Sequence, residues 1–372
     1  MLSEGMELQG RRRGERWCGL ALGLAALVVA AMGQVSAARA DGPSLPPIRH
    51  VWVIVEENAS WGYDALEGTT GSGSSIEHSF SAGTVPYLAG VLTKQGRLLT
   101  RYYGIGHNSQ ANYVAMSSGQ SPTPGSQSDG IACASGSSGG GVGNEIPNDA
   151  PVDPHGQIVG QGCMYPAKVK TLADQLEAKG LTWKGYMQDL DVSTGIDGGR
   201  CPRGPNDSGH ADIYARKHDP WMWFHSITDD QARCQGNDVA LANLAGDLQS
   251  VATTPNFSFV IPGLFADGHD GDRTANEDTW LRQYVPMIMA SPAYRQDGMI
   301  LIVFDEAATF LGASEPGEHT DACCNEIPGP NSSMPGESGP GGGRTGALVL
   351  SPFVKPGTMD DPDDNPTHAG PG

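Results

Sequence analysis

Acidic and amide side chains follow two apolar runs of the chain, at the point where each run ends. Glu57 and Asn58 come after the first run, and Asp305 and Glu306 come after the second. Carboxylates that share one cleft repel each other, and a divalent cation between them removes most of that repulsion. Oxygen ligands suit a hard cation such as Mg²⁺, Ca²⁺ or Mn²⁺, while the histidines of the chain leave Zn²⁺ or iron open. We therefore expect these side chains to bind one divalent metal ion.

A serine stands between a glycine-rich turn and a helix-like run. Ser109 follows Gly104 and Gly106 and precedes residues 112–116, whose pattern predicts a helix. The N–H groups at a helix N-terminus attract anions, and a nearby metal ion lowers the pKa of a hydroxyl group. Taken alone, Ser109 is best explained as the cap of that helix. Combined with the acidic groups, it becomes the candidate nucleophile.

Strand and helix patterns alternate along the chain and predict the elements that must position these residues. Predicted strands cover residues 50–55, 98–103, 181–187, 257–261, 299–304 and 345–351, and predicted helices cover 85–92, 112–116, 171–179, 239–251 and 280–289. This alternation predicts an α/β fold with three layers, α/β/α, around a largely parallel central sheet.

The carboxyl ends of parallel strands meet at one edge of a sheet, which is where such folds bind ligands. The acidic groups after residues 55 and 304 should therefore converge. A third predicted strand ends shortly before Asp267, His269 and Asp270, so these residues are expected near the same edge.

Length and composition favour a single domain with long loops. The chain has 372 residues, of which 52 are glycine and 27 are proline. We expect one domain over residues 41–372, with loop insertions at 120–165 and 311–343.

The first residues have the pattern of an export signal. Arginines at positions 11–13 and 16 precede an apolar run, 20–32, which is short for a membrane span. The small residues of the segment 37–40 predict cleavage near Ala40. The mature protein would then be secreted, periplasmic or held in the cell envelope, and a retained membrane anchor is the alternative.

The charge of the chain limits its partners. The formal net charge is −19, and no basic cluster occurs outside the predicted leader. This excludes a nucleic-acid ligand bound on a basic face, and nothing in the sequence implies a protein partner. An acidic chain that binds an anionic ligand needs local positive charge from a metal ion or from histidines.

The cysteine count predicts disulfide bonds. One of the seven cysteines lies in the predicted leader, and an even number remains in the exported part of the chain. The expected pairs are Cys133 with Cys163 and Cys201 with Cys234. The adjacent Cys323 and Cys324 are expected to bond to each other or elsewhere, and zinc binding by cysteines is the less favoured alternative.

Several ordered motifs resemble those of the secreted bacterial acid phosphatase and phospholipase C-type phosphoesterase family, which belongs to the alkaline-phosphatase superfamily. The resemblance extends from about residue 49 to residue 357 of the chain. The segments that carry it are 50–58, 106–119, 183–187, 217–220, 256–270 and 302–306.

The resemblance implies a role for each candidate residue. Ser109 would attack phosphorus and become a phosphoserine, which water then hydrolyses. The metal ligands would be Glu57, Asn58, Ser109, Asp305 and Glu306. Phosphate oxygens would be held by Asn112 and His107, and the groups that line the phosphate site and help protonate the leaving group would be His218, His269 and Asp270.

The chain departs from the family pattern at two places. The family has a bulky aromatic residue shortly after its Glu-Asn pair, a place that Trp61 would take here. His368 fits the position of the last family histidine, but the chain stops four residues later. We expect a C-terminal end that is truncated or has diverged.

The predicted function is therefore an exported, metal-dependent phosphomonoesterase of the acid phosphatase type. A phospholipase C-type phosphodiesterase and a phosphoinositide or phospholipid phosphatase are the alternatives with the same fold. Either lipid substrate would bring the protein into transient contact with a membrane surface. A non-catalytic secreted binding protein is the alternative from a different class.

Overall fold

The computed structural model describes residues 46–61, 79–80, 85–129, 145–190, 201, 214–308, 320–323, 328–336 and 339–360. The predicted leader and its cleavage point, Cys133, Cys324 and His368 lie outside these residues. The predicted domain boundary near residue 41 also lies outside them.

The two apolar runs that precede the acidic groups form neighbouring strands in the middle of a sheet. Strand β1, His50–Glu56, lies between β5, Phe257–Ile261, and β6, Gly298–Phe304. It pairs in parallel with both. Six of its seven side chains are buried, as expected of a strand that is covered on both faces.

The described residues form an eight-stranded sheet in the order β4-β3-β5-β1-β6-β7-β2-β8. The remaining strands are β2, Arg97–Leu99; β3, Trp183–Met187; β4, Asp238–Ala240; β7, Ala347–Leu350; and β8, Thr358–Met359. Only β7 runs antiparallel to its neighbours β6 and β2, and the other pairs are parallel. The prediction of a largely parallel sheet is confirmed.

Helices connect the strands. They are α1, Ser109–Ser118; α2, Leu172–Glu177; α3, His225–Thr228; α4, Gln231–Asn237; α5, Leu244–Asp247; α6, Glu277–Ala290; and α7, Pro292–Asp297. Short 3₁₀ turns cover Ser126–Ser128, Arg216–His218 and Leu241–Asn243, and Leu88–Leu92 is π-helical. Within the described ranges, no helix combines the length and apolar character needed to cross a bilayer.

Apolar side chains cover both faces of the sheet. On one face, Val53 and Val55 belong to a core cluster that includes Tyr113 of α1. On the other face, Ile54 belongs to a cluster that includes Leu281 of α6. Alternate residues of β1 therefore point into different layers, and the predicted three-layer α/β/α architecture is confirmed.

Local sequence signals mark two helix ends. Thr171 and Asp174 form a capping box at the start of α2, in which each side chain bonds the backbone N–H of the other residue. Gly119 ends α1 with a φ of 70°, a conformation that glycine adopts without strain.

The predicted helix over residues 239–251 is wrong. Val239 and Ala240 instead pair in parallel with β3, and the segment continues as a 3₁₀ turn and the short helix α5. Backbone hydrogen bonds to the sheet edge outweighed the helical spacing of the apolar residues. The predicted strand 98–103 is also shorter than expected, since β2 ends at Leu99.

The structure contains the predicted disulfide between Cys201 and Cys234, whose Cα atoms are 6.5 Å apart. Cys163 and Cys323 each take part in a disulfide bond as well. Because Cys133 and Cys324 lie outside the described residues, the pairings predicted for them stay predictions.

Candidate active site

The acidic groups predicted to converge do so at the carboxyl ends of β1 and β6. The backbone N–H of Asn58 donates to Asp305 Oδ1 at 3.1 Å, and the Asn58 amide nitrogen donates to Glu57 Oε2 at 2.9 Å. Glu57, Asp305 and Glu306 are all buried. The parallel pairing of β1 with β6 places these side chains together although they lie far apart in the sequence.

Ser109 faces this acidic group from the first residue of α1. Its hydroxyl oxygen lies 3.0 Å from Glu57 Oε2 and 3.4 Å from Glu306 Oε1. The N-cap position belongs to Asn108, so the interpretation of Ser109 as a helix cap is wrong. The helix begins at Ser109 and not at residue 112.

The buried carboxylates lie close enough to repel each other, and a bound cation would reduce this repulsion. Burial, and then the nearby Asp305, raises the pKa of Glu57. Burial raises the pKa of Glu306 to about 8, although His107 opposes the shift. Burial also raises the pKa of Asp305, whose Oδ2 atom has no hydrogen-bond partner among the described residues. This oxygen-rich set with an unsatisfied buried atom fits a divalent metal ion.

A second group of candidate ligands shares Glu57. Single ligand atoms of Glu57, His218 and Asp267 lie within 4.8 Å of one another. His218 Nδ1 is 3.1 Å from Asp267 Oδ2, and His218 Nε2 is 3.0 Å from Glu57 Oε1. The latter contact lacks hydrogen-bond geometry, and Nε2 has no other partner in the described part of the chain. One oxygen of Glu57 thus faces Ser109, and the other faces His218.

His218 is almost fully buried, whereas a residue that lines the phosphate site is expected to be partly open to solvent. Its side chain is buried between two carboxylates and stacked on the ring of Tyr113 at a centroid distance of 5.0 Å. Burial, and then the charges of Lys217 and His269, lower the pKa of His218. A neutral imidazole in this position is suited to binding a metal ion.

Tyr113 is a site residue that the sequence analysis did not select. Its hydroxyl donates to Glu57 Oε1 at 3.0 Å. It lies four residues after Ser109 on α1, and this spacing places both side chains on one helix face. That spacing is the signal that could have identified it.

His107 lies within the site and bonds an acid directly. Its Nδ1 contacts Glu306 Oε2, and its backbone N–H donates to Pro335 O at 2.9 Å. The structure therefore brings His107 to a predicted metal ligand, and its contact with phosphate stays a prediction.

The side chain of Asn112 bonds the turn before Ser109, and its contact with phosphate stays a prediction. Its side-chain oxygen accepts from the N–H groups of Ile105 at 2.7 Å and Gly106 at 3.1 Å. Its side-chain nitrogen donates to Gly106 O at 2.8 Å. These bonds to the main chain engage both ends of the amide, so in this structure Asn112 shapes the loop that carries Ser109.

His269 and Asp270 form the partly open side of the site. His269 Nδ1 lies 2.9 Å from Asp270 Oδ1, and their side chains are 22% and 34% exposed. The backbone N–H of His269 donates to Asp267 Oδ1 at 2.8 Å. The loop after β5 therefore brings these residues to the same edge as the acids, as the third predicted strand end required.

Two buried cations near the acids were not selected from the sequence. Arg273 donates to the backbone oxygens of Glu57 and Asn58 at 2.5 and 2.8 Å and to Glu277 Oε2 at 2.9 Å. Lys217 lies beside Asp129 and His269, and its pKa is raised because Asp129 and Glu57 outweigh the lowering effect of burial. Lys217 belongs to the segment 217–220 that carries the family resemblance. A single lysine, without other residues at a characteristic spacing, does not predict a binding role.

Curated relatives of the chain include phosphatases. It is 27% identical over 220 residues to a phosphate-repressible acid phosphatase of Penicillium chrysogenum, a match that covers 59% of this chain and 43% of the relative. It is 25% identical over 287 residues to a phosphatidylinositol-3-phosphatase of Mycobacterium tuberculosis, which covers 77% of this chain and 72% of the relative. The chain thus spans less than half the length of the fungal relative.

Among solved structures, a protein in the alkaline phosphatase superfamily from Vibrio parahaemolyticus matches with a TM-score of 0.44 and 12% identity, covering 86% of this chain and 67% of that chain. The sequence profile of the Phosphoesterase family matches residues 72–364. Because this match covers well over half of the 372 residues, the chain belongs to the Phosphoesterase family.

Proposed function

We propose that this protein is a metal-dependent phosphomonoesterase that works through a phosphoserine intermediate on Ser109. The observation that carries the proposal is the position of the Ser109 hydroxyl between Glu57 Oε2 and Glu306 Oε1, at the N-terminus of α1. Membership of the Phosphoesterase family and the phosphatase relatives support it.

In this proposal Ser109 Oγ attacks the phosphorus atom, so that an O–P bond forms while the bond from phosphorus to the leaving oxygen breaks. Glu57 Oε2, at 3.0 Å, is placed to accept the hydroxyl proton. The leaving oxygen takes up a proton from water that reaches the open side of the site, beside His269 and Asp270. Water then attacks the phosphoserine, releases inorganic phosphate and restores the serine.

Glu57, Asn58, Asp305 and Glu306, together with Ser109, are the residues that would hold the metal ion, and His218 and Asp267 offer further ligand atoms. The metal ion would lower the pKa of the serine hydroxyl and offset negative charge on the phosphoryl oxygens. Tyr113 holds the orientation of the Glu57 carboxylate through its hydrogen bond to Oε1.

A phospholipid monoester is the second candidate substrate. The relative from Mycobacterium tuberculosis, a phosphatidylinositol-3-phosphatase, aligns with 77% of this chain. Phe265, which is 40% exposed, lies two residues before Asp267 and gives the loop after β5 an apolar surface. An amphiphilic substrate would use such a surface during transient contact with a membrane.

The test is a substrate panel with purified protein and added divalent metal ions. The panel contains p-nitrophenyl phosphate, its bis-ester, a phosphatidylinositol phosphate and phosphatidylcholine. The proposal expects release of phosphate from monoesters, loss of nearly all turnover in Ser109→Ala, and a phosphoenzyme after acid quench of the unsubstituted protein. Ser118→Ala, in the last turn of the same helix, is the matched control.

Several outcomes would contradict the proposal. Cleavage of diesters alone would favour the phospholipase C-type alternative. A protein that hydrolyses nothing, and whose ligand binding is unchanged by Ser109→Ala, would favour the non-catalytic alternative. Turnover retained in Ser109→Ala would exclude a phosphoserine at that position.

We further propose export followed by removal of the leader. The apolar run 20–32 and the small residues of the segment 37–40 support this proposal. Expression of the full chain in a bacterial host, followed by fractionation and N-terminal sequencing, tests it. A mature N-terminus near residue 41 in the periplasm or medium is expected, and an intact chain in the cytosol would contradict it.

A further inference from the structure

Lys217 is a buried lysine beside the nucleophile region. Its side chain is 8% exposed, and its ammonium group lies 3.1 Å from Asp129 Oδ2 and 3.1 Å from His269 Nε2. A charge in such an enclosed place is costly unless it is paired, and Asp129 supplies the paired charge.

The ammonium group has hydrogen-bonding capacity left over. It carries three N–H donors, and Asp129 and His269 are its hydrogen-bond partners within the described part of the chain. Its positive charge also acts on the carboxylates of Glu57 and Asp267. One N–H is therefore available to a ligand that binds beside these acids.

Asp129 ties Lys217 to the start of α1. Its Oδ1 atom accepts from the backbone N–H of Gln110 at 3.0 Å, while its Oδ2 atom accepts from Lys217. Gln110 directly follows Ser109 in the first turn of the helix. One carboxylate thus sets the position of the ammonium group relative to the candidate nucleophile.

His269 holds Lys217 from the other side. Because the ammonium group can only donate, His269 Nε2 must accept, so the proton of the ring lies on Nδ1 and is donated to Asp270 Oδ1 at 2.9 Å. The backbone N–H of His269 in turn donates to Asp267. In this arrangement His269 is a positioning residue for Lys217.

We propose that Lys217 binds the phosphoryl group of the substrate, with its free N–H directed to a nonbridging oxygen. This inference rests on the proposed function, because it assigns a ligand to the same site. The acids around Ser109 repel a phosphate dianion, and a compact ammonium group held beside them offsets that repulsion. The chain thereby supplies positive charge of its own, in addition to that of a metal ion.

Binding of inorganic phosphate to the metal-loaded protein, measured by titration calorimetry, tests the inference independently of turnover. Lys217→Met is expected to weaken phosphate binding about ten- to hundredfold, the loss expected for one hydrogen bond to a charged group. Lys217→Arg should recover part of the affinity. Lys184→Met, which removes the lysine of the Lys184–Asp247 ion pair on β3, is the matched control and should bind phosphate normally.

A second variant and two further readouts separate ligand binding from structural damage. Asp129→Asn keeps a hydrogen-bond acceptor but removes the paired charge, so it should weaken phosphate binding by a smaller factor than Lys217→Met. Metal content and melting temperature should stay close to those of the unsubstituted protein in Lys217→Arg. With p-nitrophenyl phosphate, KM and the inhibition constant of phosphate should rise together.

The outcomes distinguish the inference from the proposed function. Unchanged phosphate affinity in a folded, metal-loaded Lys217→Met protein would overturn the role of Lys217 while leaving that of Ser109 intact. Phosphate binding that depends on Lys217 without any hydrolysis would support the inference and contradict the proposed function. Absence of phosphate binding by the unsubstituted protein would overturn the inference.

Discussion

The hydroxyl oxygen of Ser109 lies 3.0 Å from Oε2 of Glu57, although 52 residues separate them in the chain. The other oxygen of Glu57 contacts Tyr113 and His218. Glu57 therefore stands between the candidate nucleophile and a buried histidine. A change in the charge or orientation of this carboxylate should therefore affect both Ser109 and His218.

Removal of metal ions should make the stability of the protein fall as pH rises. In the metal-free fold, burial raises the pKa of Glu306 to about 8, whereas an unfolded glutamate titrates near pH 4.3. At neutral pH Glu306 is protonated in the folded state and ionised in the unfolded state. The free energy of unfolding therefore decreases as pH rises toward 8. Melting temperatures in EDTA between about pH 6.5 and 8 measure this. Folded His218, whose pKa is lowered, is neutral there, and an unfolded histidine loses its remaining proton just above about pH 6.5, so its opposing contribution is small.

Two controls accompany this pH measurement. Glu306→Gln cannot titrate at this position and should weaken the dependence, while the raised pKa values of Glu57 and Asp305 leave part of it in place. Added divalent metal should raise the melting temperature more at pH 8 than at pH 6.5, since binding displaces protons from the ligands. A melting temperature in EDTA that rises with pH across this window would contradict the prediction.

Asp305→Asn should lower the affinity for divalent metal ions. The substitution keeps the shape of the side chain and an acceptor for the Asn58 N–H but removes a charge from a buried ligand set. We expect affinity to fall about tenfold or more, as measured by competition with a chelating dye. Asp149→Asn, at an exposed position, is the control and should bind metal normally. Equal metal affinity of the two variants would exclude Asp305 as a ligand.

Tyr113→Phe should lower activity more than stability. The variant keeps the ring that stacks on His218 but removes the hydrogen bond to Glu57 Oε1. Loss of such a bond to a carboxylate costs about 1.5–3 kcal/mol, which we expect to appear in kcat/KM because Glu57 is left misoriented. Tyr294→Phe, in α7 at the other end of β6, is the control. An activity equal to that of the control would show that Tyr113 does not orient Glu57.

Asn112→Ala should destabilise the turn that carries Ser109. The N–H groups of Ile105 and Gly106 would lose their common acceptor, at a cost of about 1–3 kcal/mol for a buried unsatisfied group. Denaturant unfolding measures this loss. Unchanged stability together with a lower phosphate affinity would contradict this prediction and would support the role of Asn112 as a phosphate ligand.

The residues that sequence patterns identified are those whose signal is local. The apolar runs before Glu57 and Asp305 could be recognised as buried parallel strands, and the capping box of Thr171 and Asp174 needs only four consecutive residues. The prediction of a helix over residues 239–251 was wrong because the first residues of this segment pair with the edge strand β3, a contact that lies outside the segment itself. The family resemblance implies Asn112 as a phosphate ligand, whereas its hydrogen bonds to the preceding turn depend on a backbone path that spacing does not reveal.

The amino-acid sequence by itself determined the fold class and the edge of the sheet at which the candidate site lies, because hydrophobic periodicity and the polar residues that end it are properties of short segments. The tertiary structure alone decided that His218 lies between Glu57 and Asp267, and that Lys217 lies between Asp129 and His269. These contacts follow from the strand order β5-β1-β6 and from the packing of α1 over it. Contacts between residues far apart in the chain depend on how whole helices and strands pack against each other. The spacing of residues within one short segment does not contain this information.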